Sequence, residues 1–353
     1  MFFFVILHCS FFYSLMKKVL GLGNALTDIL MQVSDEDITA LGFCKGSMNH
    51  ITLEQSFSIQ HQFSSIRKSM TAGGSASNTV NAIASLGGQA AFIGKLGNDE
   101  VGEFFRQDTL RNGVKPLFLS SELPSGHCTV LITPDGERTF CTYLGASGDI
   151  REDNITADMF TGYDIFHIEG YMVQNHEVLE KAVKLAKQAG LTVSFDMSSF
   201  NVIDENKEFI DNIVRNYVDI IFANEDEALA FTNLDPEAAL DVLEEYCDIA
   251  VVKIGKRGSM VKRGHERYHI PAICTNCVDS TGAGDYYAAG FLFGIAEGVD
   301  LKSCAEIGTL TAGRVCEVVG AKLPDDTWTE IRGLCAMIQT SEHGLGNESA
   351  IFQ

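Results

Sequence analysis

Short apolar runs alternate with longer amphipathic segments along most of this 353-residue chain, and this alternation constrains the fold more than any other feature. The runs have the length of buried strands, and the segments between them have the spacing of helices. Strands are predicted at 19–23, 90–94, 164–169, 192–196, 220–223 and 250–254, and helices at 78–86, 102–112, 176–189, 225–231 and 236–246. Such alternation predicts an α/β fold, a three-layer αβα sandwich with a mostly parallel central sheet.

Two regions interrupt the alternation and predict a small β-rich lid beside the main sheet. Residues 31–51 and 117–143 look like extended segments separated by turns. The second region contains two strand-like runs around Pro134-Asp-Gly-Glu137, which is the pattern of a β-hairpin. No segment has the length of a linker between independent domains, so we expect one domain over residues 17–340.

The two ends of the chain lie outside this predicted domain. Residues 1–16 are strongly apolar and are followed by Lys17 and Lys18. A signal peptide carries its positive charge before the apolar stretch, and this segment is short for a membrane span. We expect it to be an extension ahead of a true start at Met16, with a weak membrane anchor as the alternative. Residues 341–353 are assigned to a C-terminal tail.

The composition limits the partners and the compartment. The chain has 47 acidic and 26 basic residues, a net charge of −21, whereas nucleic acid and anionic membranes are bound through Lys and Arg. We therefore expect neither as a partner, and a small-molecule substrate instead. Ten cysteines without framework spacing predict reduced thiols in a cytoplasmic protein. Cys274 and Cys277 have the spacing of a metal or redox pair, but no second pair completes a zinc site, so the spacing is interpreted as incidental.

The run Cys277-Val-Asp-Ser-Thr-Gly-Ala-Gly-Asp285 is a candidate anion-binding turn. A hydroxyl- and glycine-rich turn that opens into a helix collects unpaired N–H groups at the positive end of the helix dipole. Asp285 closes the run, and its carboxylate can take a proton from a hydroxyl that attacks a phosphate. The run therefore indicates phosphoryl transfer. The alternative is an ordinary helix N-terminus whose glycines only form a tight turn.

Two further segments offer groups for a hydroxylated ligand. Asp28 follows the first predicted strand, where open α/β sheets bind ligands, and it could accept hydrogen bonds from two hydroxyls of a sugar. Gly73 and Gly74 let the backbone approach a ligand closely, and Asn78 offers both a donor and an acceptor. The alternatives are a turn aspartate and a glycine turn with an Asn cap.

Two more strand ends carry candidate groups for a metal and a nucleotide. Asn224 and Glu227 lie on a first helical turn and present the hard oxygen ligands that suit Mg²⁺, although acidic residues also favour a helix N-terminus through the dipole alone. Lys253-Ile-Gly-Lys-Arg-Gly258 ends another strand and could lie near nucleotide phosphates. The sequence contains no Gly-x-x-x-x-Gly-Lys-Ser/Thr motif, which excludes a P-loop.

Taken together, these segments resemble the PfkB or ribokinase-like family of carbohydrate and nucleoside kinases. The resemblance runs from about Lys17 to about Trp328. Its most specific blocks are Gly73-Gly74 with Asn78 and the run 279–285, and Asn224 with Glu227 supplies the Asn-x-x-Glu element between them. Because the motifs occur together in the family order, an accidental match to all of them is improbable. The resemblance implies a ribokinase-like fold and an ATP-dependent kinase.

The resemblance also implies roles for individual residues. Asp285 would be the catalytic base. The anion hole for the transferring phosphoryl group would be formed by the N–H groups of Gly282, Ala283 and Gly284. The sugar would be held by Asp28, Gly73, Gly74 and Asn78.

Cofactors are implied in the same way. Mg²⁺ would be positioned by Asn224 and Glu227, largely through water. The ATP-binding residues would be Asn224, Lys253, Gly255, Gly258, Thr281, Gly282 and Gly284, with the adenine between the Lys253–Gly258 region and residues 312–320. Asp279 and Thr281 match the position at which many members of the family bind a monovalent cation such as K⁺.

The substrate is expected to be a nucleoside, with adenosine first, which would make this a purine-salvage kinase. The segment Gly23-Asn-Ala-Leu-Thr-Asp28-Ile, together with Gly73-Gly-Ser75, is more similar to the adenosine kinase branch than to ribokinases, and Ser75 stands where ribokinases carry Lys. Arg138 suits a phosphate-facing arginine, with an exposed strand residue as the alternative. Phe140 and Tyr143 could wall a base pocket or could be ordinary sheet residues.

Three other functions remain as alternatives at this point. A free-sugar kinase of the ribokinase or fructokinase type is the nearest. A non-catalytic sugar or nucleotide sensor on the same fold would have no need of Asp285. A dinucleotide oxidoreductase is disfavoured because the Gly21-Leu-Gly23 fingerprint lacks its third glycine. By family analogy, a homodimer would form through the lid.

Overall fold

The structure, a computed structural model, describes residues 16–273 and 275–341. The predicted N-terminal extension, apart from Met16, lies outside the described residues, as do Cys274 and the predicted tail beyond Ser341.

The strands are numbered in chain order and lie in two sheets. They are β1 (Lys18–Leu22), β2 (Thr27–Gln32), β3 (Met48–His50), β4 (Ser69–Ala72), β5 (Gln89–Gly97), β6 (Lys115–Ser121), β7 (His127–Ile132), β8 (Arg138–Tyr143), β9 (Ile165–Glu169), β10 (Thr192–Asp196), β11 (Ile220–Asn224), β12 (Ile249–Lys253), β13 (Ser259–Arg263) and β14 (Glu266–Ile270).

Helices connect most of the strands. They are α1 (Asp35–Ala40), α2 (Leu53–Gln62), α3 (Ser75–Leu86), α4 (Glu100–Arg111), α5 (Gly145–Gly148), α6 (His176–Gln188), α7 (Phe200–Tyr217), α8 (Glu225–Thr232), α9 (Pro236–Glu244), α10 (Ala283–Glu297), α11 (Leu301–Val315) and α12 (Asp325–Ser341). Among the residues that the structure describes, no helix is long and apolar enough to cross a membrane.

The larger sheet has nine strands in the order β14-β13-β12-β11-β10-β9-β1-β5-β6. Neighbours from β12 to β6 are parallel, and β13 and β14 form an antiparallel edge. Side chains alternate along each strand, so Val19 enters the core beneath α3, α10, α11 and α12, and Leu20 enters the core beneath α6 to α9. The predicted α/β sandwich is confirmed, and the predicted strands correspond to β1, β5 and β9 to β12.

The second sheet forms the lid and has five strands in the order β3-β8-β7-β2-β4. Strands β7 and β8 pair antiparallel, as expected for the predicted hairpin. The predicted lid limits are wrong at three places. β2 begins at Thr27, so most of this strand lies before the predicted segment 31–51. β6, which begins the predicted segment 117–143, pairs with β5 at the edge of the main sheet. β4 joins the lid although it lies outside both predicted segments, because it pairs with β2.

Candidate active site

Charged and amide side chains gather at the carboxyl ends of the parallel strands. Asn24 follows β1, and the last residues of β9, β10, β11 and β12 are Glu169, Asp196, Asn224 and Lys253. Register brings Asp196 opposite Glu169, and Lys253 opposite Asn224. Parallel strands end at one edge of the sheet, and open α/β sheets bind their ligands at this edge. The same edge therefore holds the candidate site of this chain.

Asp285, the predicted base, lies in the first turn of α10 and faces the first turn of α3. Its two carboxylate oxygens accept hydrogen bonds from Ser75 Oγ at 2.6 Å and from Asn78 Nδ2 at 2.9 Å. Burial raises the pKa of Asp285 to about 6, although the two hydrogen bonds and the nearby Lys253 ammonium lower it. A carboxylate with this pKa can accept a proton near neutral pH. Sequence reasoning assigned Asn78 to the substrate, whereas the structure places its amide on Asp285.

The turn before α10 has the open N-terminus expected of an anion site. Gly282 has a φ of 79°, a conformation that favours glycine, and an added Cβ would lie 2.6 Å from that of Ala321. One of the three predicted amides is engaged within the protein, because the Ala283 N–H donates to the Ser280 carbonyl at 3.1 Å, and its part in the anion hole stays a prediction. No described residue accepts a hydrogen bond from the amides of Gly282 and Gly284. These two amides are left for an anion.

Lys253 lies against this turn. Its ammonium donates to Asp196 at 2.9 Å and lies 3.2 Å from the position that a Cβ on Gly284 would take. Burial by itself lowers the pKa of Lys253, but the carboxylates of Asp196, Glu227 and Asp285 outweigh it, so the pKa is raised and the side chain is charged. A fixed positive charge therefore stands beside the anion-binding amides.

The rest of the Lys253–Gly258 segment is a structural turn. Gly255 and Gly258 have φ values of 56° and 102°, and an added Cβ on Gly258 would collide with the Ile270 carbonyl. The Arg257 guanidinium pairs with Glu225 instead of pointing to the anion turn. The positive φ of Gly255, and for Gly258 the positive φ together with the close approach to the end of β14, explain the two glycines, and their predicted contact with ATP stays a prediction.

Asn224 and Glu227 form the cap of α8. The Asn224 N–H and Nδ2 donate to the two Glu227 oxygens at 2.8 and 2.7 Å, and the Glu227 N–H donates to Asn224 Oδ1 at 2.9 Å. Burial raises the pKa of Glu227 to about 7, and its side chain is 3% exposed. Direct coordination of Mg²⁺ does not fit these engaged and buried oxygens, and no cluster of three or more metal-ligating side chains occurs in the described ranges. Their contact with Mg²⁺ through water stays a prediction.

Asp279 organises the start of the anion turn. One carboxylate oxygen accepts hydrogen bonds from Thr281 Oγ1 at 2.7 Å and from the Thr281 N–H at 3.0 Å. The other accepts from the Gly320 N–H at 2.7 Å and pairs with the lid residue Arg138 at 2.9 Å. These contacts lower the pKa of Asp279 against the effect of its burial. A monovalent cation does not fit here, because the Arg138 guanidinium already neutralises this carboxylate.

Asp28 faces the site from the lid sheet. Its carboxylate lies against Gly73, on which an added Cβ would be 2.8 Å away, and an added Cβ on Gly74 would collide with the Asn24 carbonyl. Burial raises the pKa of Asp28 to about 7, while Lys322 and Arg138 oppose the shift. No hydrogen bond from another described residue occupies this carboxylate, so Asp28 is free to bind hydroxyls of a substrate. The two glycines thus allow the close approach that the sequence predicted.

Glu169 is the most important residue that sequence reasoning missed. Its carboxylate is 1% exposed and accepts hydrogen bonds from the N–H and Nδ2 of Asn24 at 2.9 and 2.8 Å and from the Ala76 N–H at 2.8 Å. It therefore fixes the turn after β1 to the N-terminus of α3, which carries Ser75 and Asn78. Its place at the end of a predicted strand, like that of Asp196, was the available signal.

Replacing Glu169 with Leu is expected to lower stability and turnover together. The change leaves two buried backbone N–H groups without an acceptor, at roughly 1–3 kcal/mol for each group. It also frees Ser75 and Asn78 from the position in which they hold Asp285. Urea unfolding and steady-state kinetics measure the two effects. Glu169→Gln retains one acceptor oxygen and should lose less of both, so an equal loss in the two variants would contradict this role.

Comparisons with known proteins agree with this architecture. A sequence profile of the pfkB family carbohydrate kinases matches residues 43–328. The crystal structure of adenosine kinase from Sinorhizobium meliloti superposes with a TM-score of 0.80 at 33% sequence identity, covering 90% of this chain and 99% of that chain. The crystal structure of a probable sugar kinase from Rhizobium etli CFN 42 superposes with a TM-score of 0.81 at 31% sequence identity, covering 91% of this chain and 99% of that chain.

A relative found by sequence comparison supports the same assignment. An uncharacterized sugar kinase of Archaeoglobus fulgidus is 28% identical over 242 residues, which span 67% of this chain and 95% of the relative. The family profile covers most of the chain and includes every candidate site residue except Asn24 and Asp28. The chain therefore belongs to the pfkB family of carbohydrate kinases, and it is an ATP-dependent kinase of a sugar or a nucleoside.

Proposed function

We propose that this protein transfers a phosphoryl group from ATP to the primary hydroxyl of a nucleoside, with adenosine as the first candidate. The observation that carries the proposal is the Asp285 carboxylate, held by Ser75 and Asn78 beside the free amides of Gly282 and Gly284. A proton acceptor and an anion site thus lie within one helical turn. This is the pairing that attack of a hydroxyl on a phosphate requires.

Each group at the turn has a distinct part in the proposed reaction. Asp285 accepts the proton of the acceptor hydroxyl as its oxygen attacks. The Gly282 and Gly284 amides and the Lys253 ammonium stabilise the negative charge of the transferring group. Bound Mg·ATP supplies the phosphoryl group, with its charge partly neutralised by the metal. No P-loop occurs in the sequence, so this turn is the main phosphate site that the chain offers.

The lid face supports a nucleoside as the acceptor. Asp28 and Arg138 share this face with three half-buried or buried apolar side chains, Leu30, Val130 and Phe140. Carboxylate and apolar surface side by side match a ribose joined to a base. Tyr143 does not wall this surface, because it packs in the other lid core, on the opposite side of the sheet.

An ATP-consumption assay over nucleosides and free sugars tests the proposal. Adenosine is expected to give the highest kcat/KM, because a free sugar leaves the apolar lid face uncovered. A free sugar that exceeds adenosine by roughly tenfold or more would instead establish the sugar kinase alternative, since such a ratio reports differential binding in the pocket. ATP binding without turnover of any acceptor would favour the sensor.

The pH dependence of kcat/KM is expected to report Asp285. The base acts only in its ionised form, so activity should rise with pH through about 6, the raised pKa, and level off above it. An ordinary aspartate would give a midpoint near 3.8 instead. Initial rates at low acceptor concentration between pH 4.5 and about 8 measure the profile. Activity that stays flat across this range would contradict the assigned role.

A further inference from the structure

Two free thiols flank the contact between the anion turn and the end of α11. Residues 275–279, which lead into the turn, run along residues 316–320. Thr275 Oγ1 donates to Glu317 at 2.8 Å, and Asp279 accepts from the Gly320 N–H at 2.7 Å. Cys277, which is exposed, lies between Thr275 and Asp279, and Cys316, which is half-buried, directly precedes Glu317. Both ends of this stretch are therefore held while the two cysteines remain unbonded.

The backbone brings the two cysteines within reach of each other. The N–H groups of Val278 and Asp279 both donate to the Cys316 carbonyl, at 2.8 and 3.2 Å. The Cα of Cys277 is two bonds from the first of these nitrogens, and the Cα of Cys316 is two bonds from the accepting oxygen. Disulfides join Cα atoms about 4.4–6.8 Å apart, and this arrangement places the pair at that separation or close to it.

The thiols themselves interact. Burial raises the pKa of Cys316 to about 11, and the neighbouring Cys277 thiol adds to the shift, both as a nearby charge and as a hydrogen-bond partner. This effect agrees with the backbone contact, which brings the two residues side by side. The exposed Cys277 is the thiol that an oxidant in solution meets first.

We propose that Cys277 and Cys316 form a reversible disulfide that locks the anion turn onto the end of α11 and lowers the kinase activity. The oxidant is a peroxide. The Cys277 thiolate attacks one peroxide oxygen, so that an S–O bond forms, the O–O bond breaks and one water leaves. Cys316 then attacks the Cys277 sulfur, so that the S–S bond forms and the S–O bond breaks with release of a second water. Both thiol protons end in water, and the two sulfurs are oxidised by two electrons in total.

The proposed disulfide affects the anion turn through Asp279, which lies two residues after Cys277. An S–S bond is about 2.05 Å long, so its formation draws the two sulfurs together by roughly an ångström or more. Asp279 anchors Thr281 and pairs with Arg138, so the shift reaches the first residues of the turn and the lid. A displacement of this size at a reacting centre can cost up to about a hundredfold in rate. We expect the oxidised protein to be at least about tenfold slower.

Peptide mapping of the full-length protein after mild hydrogen peroxide treatment tests the proposal. The expected result is a product lighter by two hydrogen atoms, a cross-linked peptide containing Cys277 and Cys316, and recovery of both mass and rate with dithiothreitol. Cys316→Ser, which keeps the backbone carbonyl, should show the same rate before and after the peroxide treatment, whatever its own untreated rate is. Cys44→Ser, at an exposed cysteine in the lid, should behave as the unchanged protein.

Two results would overturn the proposal. The first is a map in which Cys277 is joined to Cys274 or is not cross-linked at all. The second is a Cys277–Cys316 disulfide in a protein that turns over adenosine and ATP as fast as the reduced form. The mapping does not depend on the phosphoryl acceptor, so it stands whatever the substrate screen finds.

Discussion

Asp285→Asn is expected to reduce kcat by roughly a thousandfold, within the range of about 10²–10⁴ that general base catalysis contributes. An amide has the size of the carboxylate but does not accept the proton of the attacking hydroxyl. The fold should survive. Asn78 Oδ1 is buried without a hydrogen-bond partner among the described residues, so a flip of the Asn78 amide lets this oxygen accept a hydrogen bond from the new Asn side chain at position 285. ATP affinity should change little, since the anion-binding amides are not altered.

Asp326→Asn is the matched control for this prediction. It makes the same chemical change in the first turn of another helix, α12, at an exposed position. Its kcat should equal that of the unchanged protein. If Asp285→Asn kept more than about a tenth of the activity, the carboxylate would not be the base, because general bases contribute at least about a hundredfold.

Lys253→Met is expected to have the largest combined effect on stability and on the pH profile. The Lys253 side chain is 15% exposed, and its ammonium lies among three carboxylates, of which the Asp196 side chain is 7% exposed. Removing one partner of a buried ion pair costs about 3–5 kcal/mol, since the other charge stays buried. The loss also removes a group that lowers the pKa of Asp285, so the midpoint of kcat/KM should move upward from about 6.

Chemical unfolding and the pH–rate profile measure the two effects of Lys253→Met. Lys187→Met is the control, because Lys187 pairs with Asp219 with side chains 37% and 22% exposed, and such pairs are worth about 0–1 kcal/mol. It should leave the pH profile unchanged. A Lys253→Met profile with the original midpoint would show that the ammonium does not act on Asp285.

The predicted strands agree with the structure to within a few residues because each strand is a local pattern. In β1, β9 and β10 the apolar runs are bounded by charged or turn residues, so the sequence marks their ends. The lid was harder to delimit. β4 belongs to it through pairing with β2, about 40 residues earlier in the chain, and no local pattern records that partnership.

The sequence indicated which residues belong to the candidate site, but it did not indicate which of them contact each other. Asp285, Gly282 and Lys253 meet at one turn, as the motifs indicated. The hydrogen bonds that tune Asp285 come from Ser75 and Asn78, which are 210 and 207 residues away in the chain. Their side chains have several possible partners, and only the packing of α3 against α10 selects one.

Some features of this protein follow from its sequence alone, and others follow only from its tertiary structure. Strand and helix periodicity, the missing P-loop and the order of the kinase motifs follow from the sequence alone, because they depend on neighbouring residues. The pairing of Arg138 with Asp279, the Glu169 clamp and the engaged Ala283 amide follow only from the tertiary structure. Hydrogen bonds and burial depend on which groups meet in space, and the fold alone brings together residues so distant in the chain.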